Sequence, residues 1–171
     1  TSKSAALAGL RLSNGERMPT LEQYLDAGKN LNTKLILELK AHKNKKSEIK
    51  AVEKIIAMVK EKGLEDRMEY ITFSLNALKE FIRLAPKGTP ILYLNGELSP
   101  KELNELGATG LDYHISVFKK HPEWIEEAHA LGMKLNAWTV DKEEDMKWIF
   151  DHKIDFITTN EPVTAQELIK K

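Results

Sequence analysis

A chain of 171 residues, 42% hydrophobic and 30% charged, is long enough for one domain with a substantial core, and this ordinary composition excludes disordered, collagen-like and disulfide-scaffold classes. Lys+Arg and Asp+Glu each number 26, so the formal net charge is zero: no basic footprint points to nucleic acid, and no strong field draws the chain to an anionic membrane. Cysteine is absent, which excludes disulfide and thiolate chemistry and leaves the compartment open, a periplasmic or extracellular one being favoured over a cytoplasmic one. No apolar run reaches the ~18 residues of a membrane span. The chain opens on Thr1 without methionine, and TSKSAALAGL is too short and too polar for a secretory signal, so Thr1 reads as a cut or processed end.

In chain order, PTLEQYLDAG predicts a first helix, with Pro19 near its start and Gly28 at its end. LILEL, Leu35 to Leu39, predicts a strand rich in branched residues. Lys43 to Lys46 is a short basic run that reads as a solvated loop. A helix is expected from Ser47, a good N-cap, to Lys62, with Ile49, Val52, Ile55, Ile56 and Val59 at helical spacing and Gly63 as its stop. MEYITF, Met68 to Phe73, is a second strand, and Leu75 to Ala85 a helix ended by Pro86. The unit then repeats. PILYL (Pro90 to Leu94) precedes helix SPKELNEL, with Ser99 as cap and Pro100 at its first position. TGLDYH (Thr109 to His114) precedes PEWIEEAHAL, ended by Gly132. KLNAW (Lys134 to Trp138) precedes KEEDMKWIFDH, and IDFIT (Ile154 to Thr158) precedes a last helix from Pro162 to Ile169.

Strands each followed by a helix imply a parallel sheet with helical crossovers. Both an open doubly wound sheet and a (β/α)8 barrel of the TIM type fit that pattern. No glycine-rich phosphate fingerprint follows the early strands, which disfavours the nucleotide-binding open sheet. A complete barrel takes about 250 residues. The expectation is therefore one α/β domain over residues 1–171, an incomplete barrel of about six βα units with its first two strands missing. In either architecture functional groups collect at the C-terminal ends of strands. The candidates are Glu38 and Lys40, Phe73 and Ser74, Asn95, Tyr113 and His114, Trp138 and Thr139, and Thr159 and Asn160.

Glu38 interrupts the apolar run LILEL on the face opposite Leu37 and Leu39, and Lys40 shares its face. A carboxylate pointing into a barrel needs a metal or a cationic partner. A Glu38–Lys40 ion pair that merely neutralises itself fits as well, and position alone does not separate the two. Trp138, at a strand end, suits stacking on ligand carbons or plain packing. His114 and His42 suit acid–base work, metal ligation or a structural role. His121, His129 and His152 fall on or beside helices and carry no expected function. The chain has no Gly-x-Ser-x-Gly elbow, no His-Glu-x-x-His and no dinucleotide loop at Gly107 and Gly110.

At these residues the chain resembles the glycerophosphodiester phosphodiesterase family over nearly its whole length. GERMPTLEQYL is similar to that family's segment before its third strand. LILELK is similar to its "l-x-i-E-i-K" strand, YITFSLNALKEFIRLAP to its "SF" strand and helix, and NAWTVDKEEDMKWIFDHKIDFITTNEP to its "W-T-v-N … G-v-D-g-i-i-T-D-x-P" ending. The resemblance implies metal-dependent hydrolysis of glycerophosphodiesters to sn-glycerol 3-phosphate and an alcohol. It implies Glu38 as a ligand of Mg²⁺ or Ca²⁺, Lys40 as a contact of the phosphodiester oxygens, and Trp138 and Phe73 as walls of the glycerol pocket. The chain departs from the family pattern at Thr72 (for serine), Asp141 (for asparagine) and Asn160 (for aspartate). The family's opening "H-R-G", its "E-x-D" metal pair and its "H-D" have no counterpart here, so no catalytic histidine is assigned. In the parent protein one histidine would serve as base or nucleophile and another as leaving-group acid.

The chain alone is therefore expected to be inactive, since one carboxylate does not fill a site of about six oxygens. A barrel short of two strands is expected to associate edge to edge, to fill the gap with Thr1 to Arg17, or to keep a separate N-terminal fragment. The alternatives are a phosphodiesterase acting on lysophospholipid-type substrates and a non-catalytic binding module derived from a barrel.

Overall fold

The computed structural model describes residues 9–170. Its six strands are β1 (Leu35–Leu39), β2 (Met68–Thr72), β3 (Ile91–Tyr93), β4 (Gly110–His114), β5 (Lys134–Trp138) and β6 (Phe156–Ile157). Eight α-helices accompany them among the described residues: α1 (Leu21–Lys29), α2 (Lys45–Lys62), α3 (Leu75–Leu84), α4 (Pro100–Leu106), α5 (Ile115–Lys120), α6 (Glu123–Ala130), α7 (Glu143–Asp151) and α8 (Pro162–Ile169).

Every strand pair is parallel, and the sheet order is the chain order, β1 to β6. A doubly wound sheet reverses its strand order partway; a singly wound one does not, and its right-handed crossovers all fall on one face. The sheet is thus a curled half-barrel, which decides between the two architectures that the βα alternation allows.

The covered face explains the core. Met68, Tyr70 and Thr72 of β2 are buried, as are Leu35 and Leu39 of β1. Beneath them pack Val52, Ile55 and Val59 of α2 and Ala77, Leu78 and Phe81 of α3. Tyr70 stacks on Phe81 with ring centroids 4.5 Å apart. On the concave face the outer strands are open, Ile36 of β1 being 60% exposed and Phe156 of β6 52%.

Local signals set most element ends. Ser99 and Glu102 form a reciprocal capping box at the start of α4, and Pro100 takes its first position. Gly63 ends α2 with φ 65°, a left-handed conformation that glycine adopts without a Cβ penalty. Four expectations are corrected. Helix α2 begins at Lys45, capped by Asn44 rather than Ser47: the Asn44 carboxamide accepts from the backbone N–H of Lys46 and Ser47, while the Ser47 hydroxyl donates back to the Asn44 carbonyl. Gly28 does not stop α1, which runs on to Lys29 with Asn30 at its C-terminus; a Cβ on Gly28 would meet the Leu35 methyls at 2.8 and 2.9 Å, so its smallness seats α1 on β1. Helix α5 separates β4 from α6, where the sequence predicts one helix only. Strand β6 is two residues long, although Thr158 continues its hydrogen bonding, donating to Ala137 and accepting from Val140.

Of the segment Thr1 to Arg17, residues 1–8 lie outside the described residues. The remainder forms an isolated antiparallel bridge, Arg11 with Arg17, and adds no strand to the sheet.

Candidate active site

Strand alternation carries one set of side chains to the concave face. On β1 these are Glu38 and, just past its end, Lys40. Glu38 is in register with Ile71 of β2, Gly110 with Leu92 and Lys134, and Asp112 with Asn136 of β5. At the C-terminal end of this face lies a pocket of about 250 Å³ whose walls include Glu38, Lys40, Phe73, Asp112, Trp138 and Thr158. Five of the residues singled out from the sequence therefore converge, Thr139 being the fifth beside Glu38, Lys40, Phe73 and Trp138.

Lys40 donates to Glu38 Oε1 at 2.5 Å, so the two charges are paired in this structure. The Lys40 side chain is 78% exposed, and its Nζ lies 5.7 Å from the centroid of the Phe73 ring. An exposed ammonium held by one carboxylate and one aromatic face keeps donors free for an anion. Trp138 is fixed from three directions. Its Nε1 donates to the Asp112 carbonyl at 2.8 Å, and its ring meets Phe73 and His114 edge to face at 5.7 and 5.2 Å. A half-buried indole anchored this way presents a rigid apolar wall.

The other candidates serve the frame. Ser74 caps α3 and donates to Glu48. Tyr113 points to the helical side, is fully buried and donates to the Leu98 carbonyl at 2.8 Å. Asn95 is exposed in the loop after β3. Thr159 and Asn160 donate to Asp141. His114 begins α5, its Nδ1 accepting from the Ser116 backbone N–H at 3.2 Å. The backbone N–H of His42 donates to Glu48 at 2.9 Å. His121 and His152 stack on Trp124 and Trp148 of the outer helices. A larger hollow of about 700 Å³ lies between α6 and α7, bordered by His129, Asp151 and His152. It is outside the concave face, and no group of three or more metal-binding side chains occurs there or elsewhere among the described residues.

Asp112 escaped the sequence reading. It is 4% exposed, and burial first, then repulsion from Glu69 and Glu38, pushes its carboxyl up to about 7, against the opposing Asn136 hydrogen bond. A signal was present: like Glu38, it is an acid inside an apolar strand and close to the C-terminal end of that strand.

Thr72 also finds an explanation. Fully buried, its Oγ1 donates to the Leu39 carbonyl at 2.9 Å and accepts from the Ser74 N–H at 3.1 Å, tying the ends of β1 and β2 together below Lys40 and Phe73.

A family model described as "Glycerophosphoryl diester phosphodiesterase family" matches residues 3–164. A relative from Caldanaerobacter subterraneus subsp. tengcongensis, named glycerophosphodiester phosphodiesterase, is 30% identical over 158 residues, 92% of this chain. The chain spans 64% of that relative's length. The crystal structure of a glycerophosphodiester phosphodiesterase from Parabacteroides distasonis superposes with a TM-score of 0.95 at 47% identity, covering 99% of this chain and 71% of that one. Among the described residues no helix is long and apolar enough to cross a membrane.

Proposed function

The chain belongs to the glycerophosphoryl diester phosphodiesterase family, and on that premise we propose that it forms the larger part of an enzyme hydrolysing glycerophosphodiesters to sn-glycerol 3-phosphate and an alcohol. The observation that carries the reading is the convergence of Glu38, Lys40, Phe73 and Trp138 on one pocket at the C-terminal end of the sheet. Lys40 supplies a point charge for the phosphodiester oxygens, which gain negative charge toward the transition state. Phe73 and Trp138 line the carbon skeleton of the glycerol group and keep water from it.

Glu38 would serve as one ligand of a divalent cation, Mg²⁺ or Ca²⁺, which when bound would neutralise phosphate charge. The residues present do not complete that site, since no group of three ligands occurs among the described residues and Glu38 is engaged by Lys40. Among the described residues no histidine lines the pocket, and the nearby His114 uses its Nδ1 to accept from the Ser116 backbone N–H. The remaining ligands and the acid–base groups therefore belong to two further strands that precede β1 and close the barrel between β1 and β6. By itself the chain binds without turnover, and its free strand edges favour self-association unless those strands, or a fragment carrying them, are present.

The test is release of sn-glycerol 3-phosphate from glycerophosphocholine with Mg²⁺ or Ca²⁺, using a longer protein that contains this chain. Turnover is expected there, is expected to fall at least about a hundredfold in K40M, and is expected to be absent from the 171-residue chain. Hydrolysis of lysophosphatidylcholine but not glycerophosphocholine would replace the substrate assignment. Metal-dependent turnover by the chain alone would overturn the inactivity.

A further inference from the structure

Among the polar groups of the pocket that the proposed phosphate and metal contacts leave unused, the carboxyl of Asp112 is the one charged side chain. Asp112 sits mid-strand on β4, 4% exposed, in direct register with Asn136 of β5. The Asn136 amide donates to Asp112 Oδ1 at 2.6 Å and to Thr158 Oγ1 at 2.9 Å. The Asp112 carbonyl accepts from Trp138. Main chain and one carboxyl oxygen are thus both held in place.

The second oxygen, Oδ2, makes no hydrogen bond among the described residues. Yet no side-chain polar atom sealed from solvent there lacks a partner. Oδ2 therefore opens on the pocket that Asp112 lines. A buried carboxyl with one oxygen tied down and the other offered to a cavity is a directional hydrogen-bonding group, and burial makes an unfilled bond costly.

Three ligand classes could meet it. A phosphate is repelled, because Asp112 already lies in the field of Glu38 and Glu69. A metal ion finds no group of three ligands around Asp112 among the described residues. An alcohol suits it: a hydroxyl donates to a carboxylate and also accepts from a protonated carboxyl, so the match survives either charge state. With phosphate on Lys40 of β1 and carbons against Phe73 and Trp138, the ligand's hydroxyl end lies toward β4.

We propose that Asp112 is a specificity-determining residue, its Oδ2 hydrogen-bonding a hydroxyl of the glycerol group and so selecting glycerol phosphates over phosphate esters without that hydroxyl. This rests on the glycerophosphodiester reading of the same pocket.

The experiment is an NMR titration of the 171-residue chain with sn-glycerol 3-phosphate, n-propyl phosphate and inorganic phosphate, repeated on D112L and on the isosteric D112N. Wild type is expected to prefer glycerol 3-phosphate over propyl phosphate by about tenfold or more, the worth of one hydrogen bond to a charged or buried group. In D112L the ratio is expected to fall to about one, with D112N between. A variant that is merely destabilised weakens both ligands together and leaves the ratio standing, which would overturn the assignment. So would a wild type that binds the three phosphates equally; the phosphate reading of Lys40 would then stand while this inference fell. Binding of none of them would overturn both.

Discussion

Asp141 and Asn160 hold each other across the loops that follow β5 and β6: the Asn160 backbone N–H donates to Asp141 Oδ1 at 2.8 Å and its side-chain amide to Oδ2 at 3.0 Å. Thr159 adds a third donor. The Asn160 backbone first, then its amide, hold the Asp141 carboxyl below its ordinary range, against a small opposing effect of burial. Against the family pattern these are two departures, asparagine to aspartate and aspartate to asparagine. In contact they are one reciprocal exchange that keeps an acid facing an amide.

The exchange should therefore be reversible. D141N sets two amides face to face and N160D two carboxylates; each is expected to lower the melting temperature by a few degrees, N160D the more. The double variant D141N/N160D is expected to recover most of the loss. Thermal unfolding followed by circular dichroism decides it, and a double variant no better than the sum of the singles would show the two positions to be independent.

Asp112 makes stability fall as pH rises. Its folded carboxyl titrates at about 7 and its ordinary value is 3.8, so the folded state holds the proton longer. The associated stability is fully present below about pH 4 and is lost progressively up to about pH 7, by as much as about 4 kcal/mol for a shift of some three units. Urea unfolding of the metal-free chain at pH 4.5 and 8 is expected to show this slope, and D112N to flatten it. An unchanged slope in D112N would assign the pH dependence to other groups.

Glu48 acts in the opposite sense. It is 2% exposed and accepts from the His42 N–H, the Ser74 hydroxyl and the Asn76 amide at 2.8 to 2.9 Å, which joins the loops after β1 and β2. Burial raises its carboxyl, and these bonds together with the His42 ring bring it to a net value below the ordinary one. Its contribution is present above the unfolded value of about 4.5 and is lost as pH falls through the lowered folded value. E48Q turns an amide N–H toward three donors and is expected to cost roughly 1.5–3 kcal/mol at pH 7 in urea melts. A loss below about 0.5 kcal/mol would show that the loops hold without it.

Arg67 is the clamp of the segment between α1 and β1. Its guanidinium donates to the carbonyls of Gly28, Lys29, Leu31 and Thr33. Lysine cannot span four acceptors held in a fan. R67K is expected to cost about 2 kcal/mol and to speed amide exchange in residues 30–34, read by hydrogen–deuterium exchange. Unaltered exchange there would show that the backbone turn holds itself.

Local chemistry was legible in the sequence, and cross-strand chemistry was not. The bounds of β1 followed from LILEL, and those of α8 from Pro162. Asn44 and Ser47 are both good caps three residues apart, and only geometry chooses between them. Helix α5 is six residues long, too short for a periodicity to register beside the strand before it. Glu38, Lys40, Phe73 and Trp138 were singled out because strand ends collect functional groups, and they line one pocket. Asp112 was passed over in favour of its neighbours Tyr113 and His114, since its meaning depends on Asn136, 24 residues on, and on burial that no local pattern reports. The complementarity of Asp141 and Asn160 is likewise a contact across 19 residues, and each reads alone as an anomaly.

The unequal length of the two outer strands limits how copies of this sheet can join. A β1-to-β6 contact would run head to tail and leave a fresh edge on every added copy, the arithmetic of a filament, but β6 offers only two residues to hold it. A β1-to-β1 contact has five residues on each side and uses up both edges about a twofold axis. Any edge pairing in this molecule is thus expected to terminate at two.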